Sequence, residues 1–145
     1  MKDELKLYNL NFDGYWREIN KQYAPDFSGV YLIYTCKFVP DDKTVSLAEL
    51  IYIGQAKNIR KRIADHNENE FASVLKQGMT LCYACAYVDE KDLNIVENAL
   101  VFAEKPQFND KLKDNYNYDD AKFIIEGTCA KLKYTSYSIK MSNHE

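Results

Sequence analysis

Residues 49–66, ELIYIGQAKNIRKRIADH, constrain this chain more than any other stretch. The apolar run Leu50-Ile51-Tyr52-Ile53 stops at Gly54. β-Branched and aromatic residues closed by a glycine are the pattern of a buried strand running into a turn. In the basic segment that follows, Ile59 and Ile63 stand four apart, and so do Arg62 and His66 beside them. That is helical spacing, and it sets the Arg and His side chains together at the edge of an apolar stripe. The stretch therefore predicts a strand that delivers Tyr52 to a turn and a helix that presents Arg62 and His66.

Composition sets the bounds. With 145 residues, 46% apolar and 28% charged, the chain is expected to be a single globular domain over residues 1–145. No stretch approaches the length of a membrane span, and MKDELKLYNL carries no apolar signal region, so a cytoplasmic protein with no membrane partner is expected. A net charge of -3 argues against blanket electrostatic affinity for nucleic acid. Lys57, Arg60, Lys61 and Arg62 nevertheless form a local basic patch with only Asp65 nearby. Of Cys36, Cys82, Cys85 and Cys129, only one pair has C-x-x-C spacing, and the histidines are His66 and His144 alone. That set does not make a structural zinc site. Cys82 and Cys85, inside MTLCYACAYV, read as buried free thiols.

Taken in order, residues 1–13 read as a polar, loosely attached arm. Residues 15–23 have Trp16, Ile19 and Tyr23 at the spacing of a short amphipathic helix. Residues 28–38 form a strand, a turn follows at 40–43, and residues 50–53 pair back antiparallel. The next helix runs from an Asn58 cap to His66. Residues 68–77 read as a further helix closed by Gly78. Residues 79–88 are a central strand and residues 89–104 a long helix ended by Pro106. Residues 107–118 are a loop, and 123–125 with 132–139 a terminal hairpin. The expected fold is α/β of the α+β type. A small, mainly antiparallel three-stranded sheet is flanked by helices, with an extra C-terminal hairpin.

Several polar positions stand out. Glu97 falls at the border of the stripe formed by Leu93, Val96, Leu100 and Ala103, where a carboxylate is partly desolvated unless paired. A salt bridge at the helix rim and a metal-binding role both account for it; a lone carboxylate suits Mg2+, which keeps several waters. Tyr31 and Tyr52 could be plain core residues, Arg62 and His66 a solvated helix face, and Asn109 a turn residue.

In combination these residues resemble the GIY-YIG nuclease superfamily. Gly29-Val30-Tyr31 resembles its first motif, with Val for the commoner Ile, and Tyr52-Ile53-Gly54 is its second. Arg62 stands ten residues after Tyr52, where the family carries its essential arginine, and His66 matches a position often His or Tyr. Glu97 resembles the family's metal-binding glutamate, and Asn109 the asparagine that closes the motif set. The resemblance covers residues 28–110 and leaves 1–27 and 111–145 outside. Tyr31 and Tyr52 are 21 residues apart, wider than the usual hairpin, which predicts an extended turn over residues 40–46. Gln55 stands where many members have Lys or a small polar residue.

The resemblance implies a metal-dependent endonuclease that hydrolyses DNA phosphodiesters to a 5′-phosphate and a 3′-hydroxyl. Its implied catalytic set is Tyr31, Tyr52, Arg62, His66, Glu97 and Asn109. Glu97 would hold Mg2+, with Mn2+ as a substitute, and Arg62 would donate to the phosphate. Either Tyr31 or Tyr52 would be the base, Tyr31 being favoured, with Tyr52 its partner or the group that orients the phosphate. Cations nearby would favour tyrosinate, and His66 would hydrogen-bond a tyrosine or a phosphate. Asn109 would position Glu97 or its backbone. Lys57, Arg60, Lys61 and Arg62 would contact DNA. Cutting both strands with so small a module calls for a homodimer or a partner protein that supplies specificity. The alternative is a binding or interaction module that kept the fold without cutting.

Overall fold

The computed structural model describes residues 5–142. Six strands form one sheet: β1 (Lys6–Arg17), β2 (Gly29–Val39), β3 (Thr44–Ala56), β4 (Thr80–Tyr87), β5 (Ala121–Gly127) and β6 (Ser136–Ile139). Their order across the sheet is β3-β2-β4-β1-β5-β6. Two α-helices accompany them, α1 (Ile59–Asp65) and α2 (Leu93–Glu104), with short 3-10 segments at Lys21–Tyr23, Glu68–Val74 and Glu90–Asp92. The mixed α+β character matches the expectation, but the sheet has six strands rather than three.

The added width begins with the segment read as a loose arm. Residues 6–17 are a strand inserted between β4, antiparallel, and β5, parallel. Tyr8, Leu10 and Phe12 alternate into the core, the period-2 burial of a half-exposed strand. The helix expected over residues 15–23 is absent, because pairing with β4 carries the extended backbone through Trp16 and Arg17. Only a 3-10 turn remains at Lys21–Tyr23, and its would-be apolar face points outward, with Ile19 71% and Tyr23 69% exposed. The first four residues of the predicted arm lie outside the described residues, as do residues 143–145, His144 included.

β2 and β3 form the expected antiparallel pair. The extra residues between Tyr31 and Tyr52 do not widen the turn, which is tight, with Lys43 N–H donating to Pro40 O at 3.2 Å. They lengthen the ladder instead, and β3 continues past Gly54 to Ala56. The register shifts between Ile33 and Tyr34, where Tyr52 pairs with Ile33 but Leu50 pairs with Tyr34. The unpaired Ile51 is a bulge. It allows Ile51 and Tyr52, although consecutive, both to pack with Tyr31 and Ile33.

β4 is the predicted central strand, between β2 and β1. Cys36 and Cys82 are paired as a disulfide between β2 and β4, which corrects the reading of Cys82 as a free thiol. The register sets Tyr34 opposite Cys82 and Cys36 opposite Thr80, so the two cysteines are diagonal neighbours with Cα atoms 6.3 Å apart, within bridging reach. Cys85 is a buried free thiol, as expected. The segment expected as a helix over residues 68–77 is a 3-10 segment broken at Phe71 (φ -118°), and Gly78, at φ 83°, belongs to the turn beyond it. α2 is preceded by a 3-10 turn and ends where Lys105 turns left-handed before Pro106. β5 and β6 form the predicted terminal hairpin.

Each face of the sheet carries a core. Val30, Leu32, Tyr34 and Ile53 pack with Val96, Ala99 and Leu100 of α2. Tyr31, Ile33, Ile51, Tyr83 and Cys85 pack with Ile59 and Ile63 of α1 and with Phe71. Both helices also lie against β3, the edge strand, so groups from the two faces can meet there. Among the described residues, no helix is long and apolar enough to cross a membrane.

Candidate active site

The site starts from two glycines that no other residue could replace without displacing a neighbour. A Cβ on Gly29 would run into the Ala86 carbonyl of β4, and one on Gly54 would overlap the ring and hydroxyl of Tyr31. Tyr31 and Gly54 are register partners, so the Tyr31 phenol lies flat over the second motif. It is fully buried.

The Tyr31 hydroxyl is 2.8 Å from Nε2 of His66. The buried His66 sits at the C-terminal end of α1, whose start is capped by the Asn58 side chain accepting from Lys61 N–H. Nδ1 of the same ring lies 3.1 and 3.2 Å from the two carboxylate oxygens of Glu70. A carboxylate only accepts, so the network assigns the ring proton to Nδ1 and leaves Nε2 to accept from Tyr31. Sequence reasoning missed Glu70. Its signals were the four-residue spacing from His66 and the Asn67–Glu70 capping box. Lys21 donates to the His66 carbonyl at 2.7 Å and pairs with Glu18 at 3.0 Å, fixing the end of the helix from the other side.

Tyr52 is half-buried, its ring centroid 6.2 Å from Tyr31, 5.5 Å from His66 and 6.3 Å from Phe71. It lines a cleft of about 380 Å³ with Glu97, Phe108, Asn109 and Lys111. Arg62 is exposed on α1, within electrostatic reach of Tyr31, Tyr52 and Glu97.

Burial raises both phenols above the ordinary tyrosine range, and the Arg62 charge only partly offsets it. Desolvation of a phenolate thus outweighs one exposed guanidinium. His66 moves the opposite way. Burial holds it below the usual histidine range, with Arg62 and Lys21 adding to the effect and Glu70 opposing it. A neutral imidazole therefore faces a protonated phenol.

Glu97, at the border of the α2 stripe, has its carboxyl pushed up by burial, while a hydrogen bond from Gln55 and the Arg62 charge pull it down. Gln55 Nε2 donates to Glu97 Oε1 at 2.9 Å and to Asn94 Oδ1 at 2.6 Å. Gln55, at the position where many members have Lys or a small polar residue, thus steadies Glu97. Asn109 acts elsewhere than expected. Its side chain accepts from Ile53 N–H and donates to Ile53 O, both at 2.9 Å, clamping the second motif rather than Glu97 or its helix. In the basic patch, Lys57 and Lys61 are exposed, whereas Arg60 Nε is committed to the Ala24 carbonyl at 2.6 Å.

Among the described residues, no group of three or more His, Cys, Asp or Glu side chains could hold a metal ion. Glu97 alone fits one kind of site, a hard cation that takes one protein carboxylate and fills its remaining positions with water and phosphate oxygens. The cleft beside it and the single hydrogen bond on Oε1 leave room for that.

A structural class of two-motif hairpin, basic helix and carboxylate-bearing second helix is thereby defined. The chain belongs to the GIY-YIG family: the model of the GIY-YIG catalytic domain matches residues 27–112, more than half its length. It is similar to UvrABC system protein C of Koribacter versatilis, 33% identical over 84 residues that make up 53% of this chain and 13% of that protein. It is also similar to the proteins of the same name from Helicobacter pylori (35% identical, 65% of this chain, 16% of that protein) and Cytophaga hutchinsonii (29%, 65% and 15%). The chain thus spans less than a fifth of the length of these relatives. No solved structure gives a significant match.

Proposed function

We propose that the chain is a divalent-metal-dependent DNA endonuclease that leaves a 5′-phosphate and a 3′-hydroxyl. The observation that carries this reading is the meeting of Tyr31, Tyr52, Arg62, His66 and Glu97 around edge strand β3, with a cleft open beside them. Tyr31 takes the proton of the attacking water while its own proton passes to Nε2 of His66, so no free tyrosinate is required. Arg62, within electrostatic reach of both phenols, turns to the non-bridging phosphate oxygens. Its planar fork suits those oxygens better than a lysine would. Tyr52 orients the phosphate, and Asn109 keeps Tyr52 in place through the adjacent Ile53. Glu97 holds the cation, Mg2+ or Mn2+. When bound, the cation supplies Lewis-acid stabilisation of the phosphate and of the leaving 3′-oxygen. Lys57 and Lys61 contact the flanking backbone. Selection of the DNA, and cutting of both strands, falls to a second copy or a partner protein.

A supercoiled plasmid with Mg2+ tests this. The wild type should nick it and Glu97→Ala should not. DNA binding without nicking by the wild type would instead identify a non-cutting module.

A further inference from the structure

We propose that Glu70 is a positioning residue, the group that keeps His66 in the one tautomer able to accept the Tyr31 proton. The inference rests on the nuclease reading and adds to it a residue outside the motif set.

The imidazole of His66 is enclosed by rings, with Tyr31, Tyr52 and Phe71 at centroid distances of 5.5, 5.5 and 6.1 Å. Its protonation pattern is therefore set by its two hydrogen-bond partners rather than by water. Nε2 meets the Tyr31 hydroxyl and Nδ1 meets Glu70. The tautomer of a neutral histidine follows from whichever partner dictates its role. A hydroxyl both donates and accepts, so Tyr31 tolerates either form, whereas a carboxylate accepts only. Glu70 alone makes the choice. In the other tautomer Nε2–H would donate to Tyr31, and the phenol would have no acceptor for its proton.

Glu70 is itself held for this task. Its Oε1 also accepts the Asn67 N–H at 3.0 Å, and the Asn67 side chain accepts from Asn69 and Glu70 N–H. The carboxylate itself is held by the backbone N–H of Asn67, which does not depend on the Asn67 side chain. The other charges near His66 are Arg62 on its own helix and Lys21, which bonds its carbonyl. Neither offers an acceptor to Nδ1, and among the described residues only Glu70 bonds it.

The substitution Glu70→Ala removes the acceptor, whereas Glu70→Gln keeps one, because its amide oxygen in the place of Oε1 can accept from both Asn67 N–H and Nδ1–H. Asn67→Ala is the opposite control, since it weakens the cap and leaves the carboxylate beside the ring. 15N NMR of the full chain reads the imidazole directly, because only two histidines contribute and His144→Gln removes the second. The wild type should show a protonated Nδ1 and a bare Nε2. Glu70→Ala should lose the fixed pattern and lower kcat by about 10- to 100-fold, the range for loss of such an outer partner, with little change in KM. Glu70→Gln should keep the pattern and most of kcat, while Asn67→Ala should melt lower and keep both. An unchanged ring pattern in a folded Glu70→Ala protein overturns the proposal, as does a lost pattern with undiminished kcat. If the wild type cuts no DNA at all, the nuclease reading fails, and the proposal is then decided by the ring pattern alone.

Discussion

Asn109 grips both backbone groups of Ile53, accepting from its N–H and donating to its carbonyl at 2.9 Å. β3 is the edge of the sheet, and Ile53 has its ladder partner on one side only. The carboxamide takes the place of a missing neighbour strand at the residue between Tyr52 and Gly54. Asn109→Ala strands two buried polar groups, each worth about 1–3 kcal/mol. Its thermal midpoint should fall by several degrees, and cleavage should fall further as Tyr52 loses its support. Asn109→Asp, which keeps an acceptor but loses the donor, should lie between the two in a denaturant melt.

Arg62 lies exposed and the core does not depend on it. Arg62→Ala should melt close to the wild type, yet lose about 100-fold or more in cleavage rate, the scale of one charge-stabilising donor in a transition state. Arg62→Lys should recover only part, because a single ammonium cannot bridge two phosphate oxygens. An Arg62→Ala protein that fails to fold would assign the residue to the scaffold instead.

The Glu97 carboxyl is raised by burial, so the fold carries a disfavoured charge at neutral pH. With the folded value above the unfolded one of about 4.3, the penalty is absent below that pH and fully present above the folded value. Glu97→Gln should therefore raise the melting temperature at pH 7, and the gain should vanish near pH 4. Added Mg2+ should raise the wild-type midpoint by mass action and leave that of Glu97→Gln unmoved. Calorimetry checks both without reference to cleavage.

His66 gives the opposite slope. Its folded value lies below the unfolded one of about 6.5, so unfolding takes up a proton between the two. The stability associated with His66 is whole above about pH 6.5 and declines as the pH falls from there toward the folded value. Cleavage should decline only as the pH reaches that lower folded value, where Nε2 takes a proton and cannot accept from Tyr31. His66→Gln should flatten the stability profile in that window in urea melts taken from pH 7.5 downward.

The motif hairpin, the basic helix and the carboxylate at the edge of α2 were legible because each is a local pattern. Spacing alone put Arg62 beside His66 and Glu97 at a stripe border. The first strand was also written locally, in the alternation of Tyr8, Leu10 and Phe12, but polar neighbours masked it, and its parallel partner β5 lies over a hundred residues away. The Asn109 clamp depends on a contact 56 residues long that no periodicity encodes. The same is true of Gln55 on Glu97, 42 residues apart. Glu70 was readable in principle, but its two signals belong to capping and to helix spacing, and neither names a histidine's tautomer.

The placement of β1 has a practical consequence for anyone trimming this chain. Cutting it back to residues 27–112, the stretch the family model matches, removes every hydrogen-bonding partner on one flank of β4. A strand that is almost wholly buried would become a bare border, open to any passing extended peptide. A minimal catalytic fragment of this protein should clump unless residues from both far ends of the polymer travel with it.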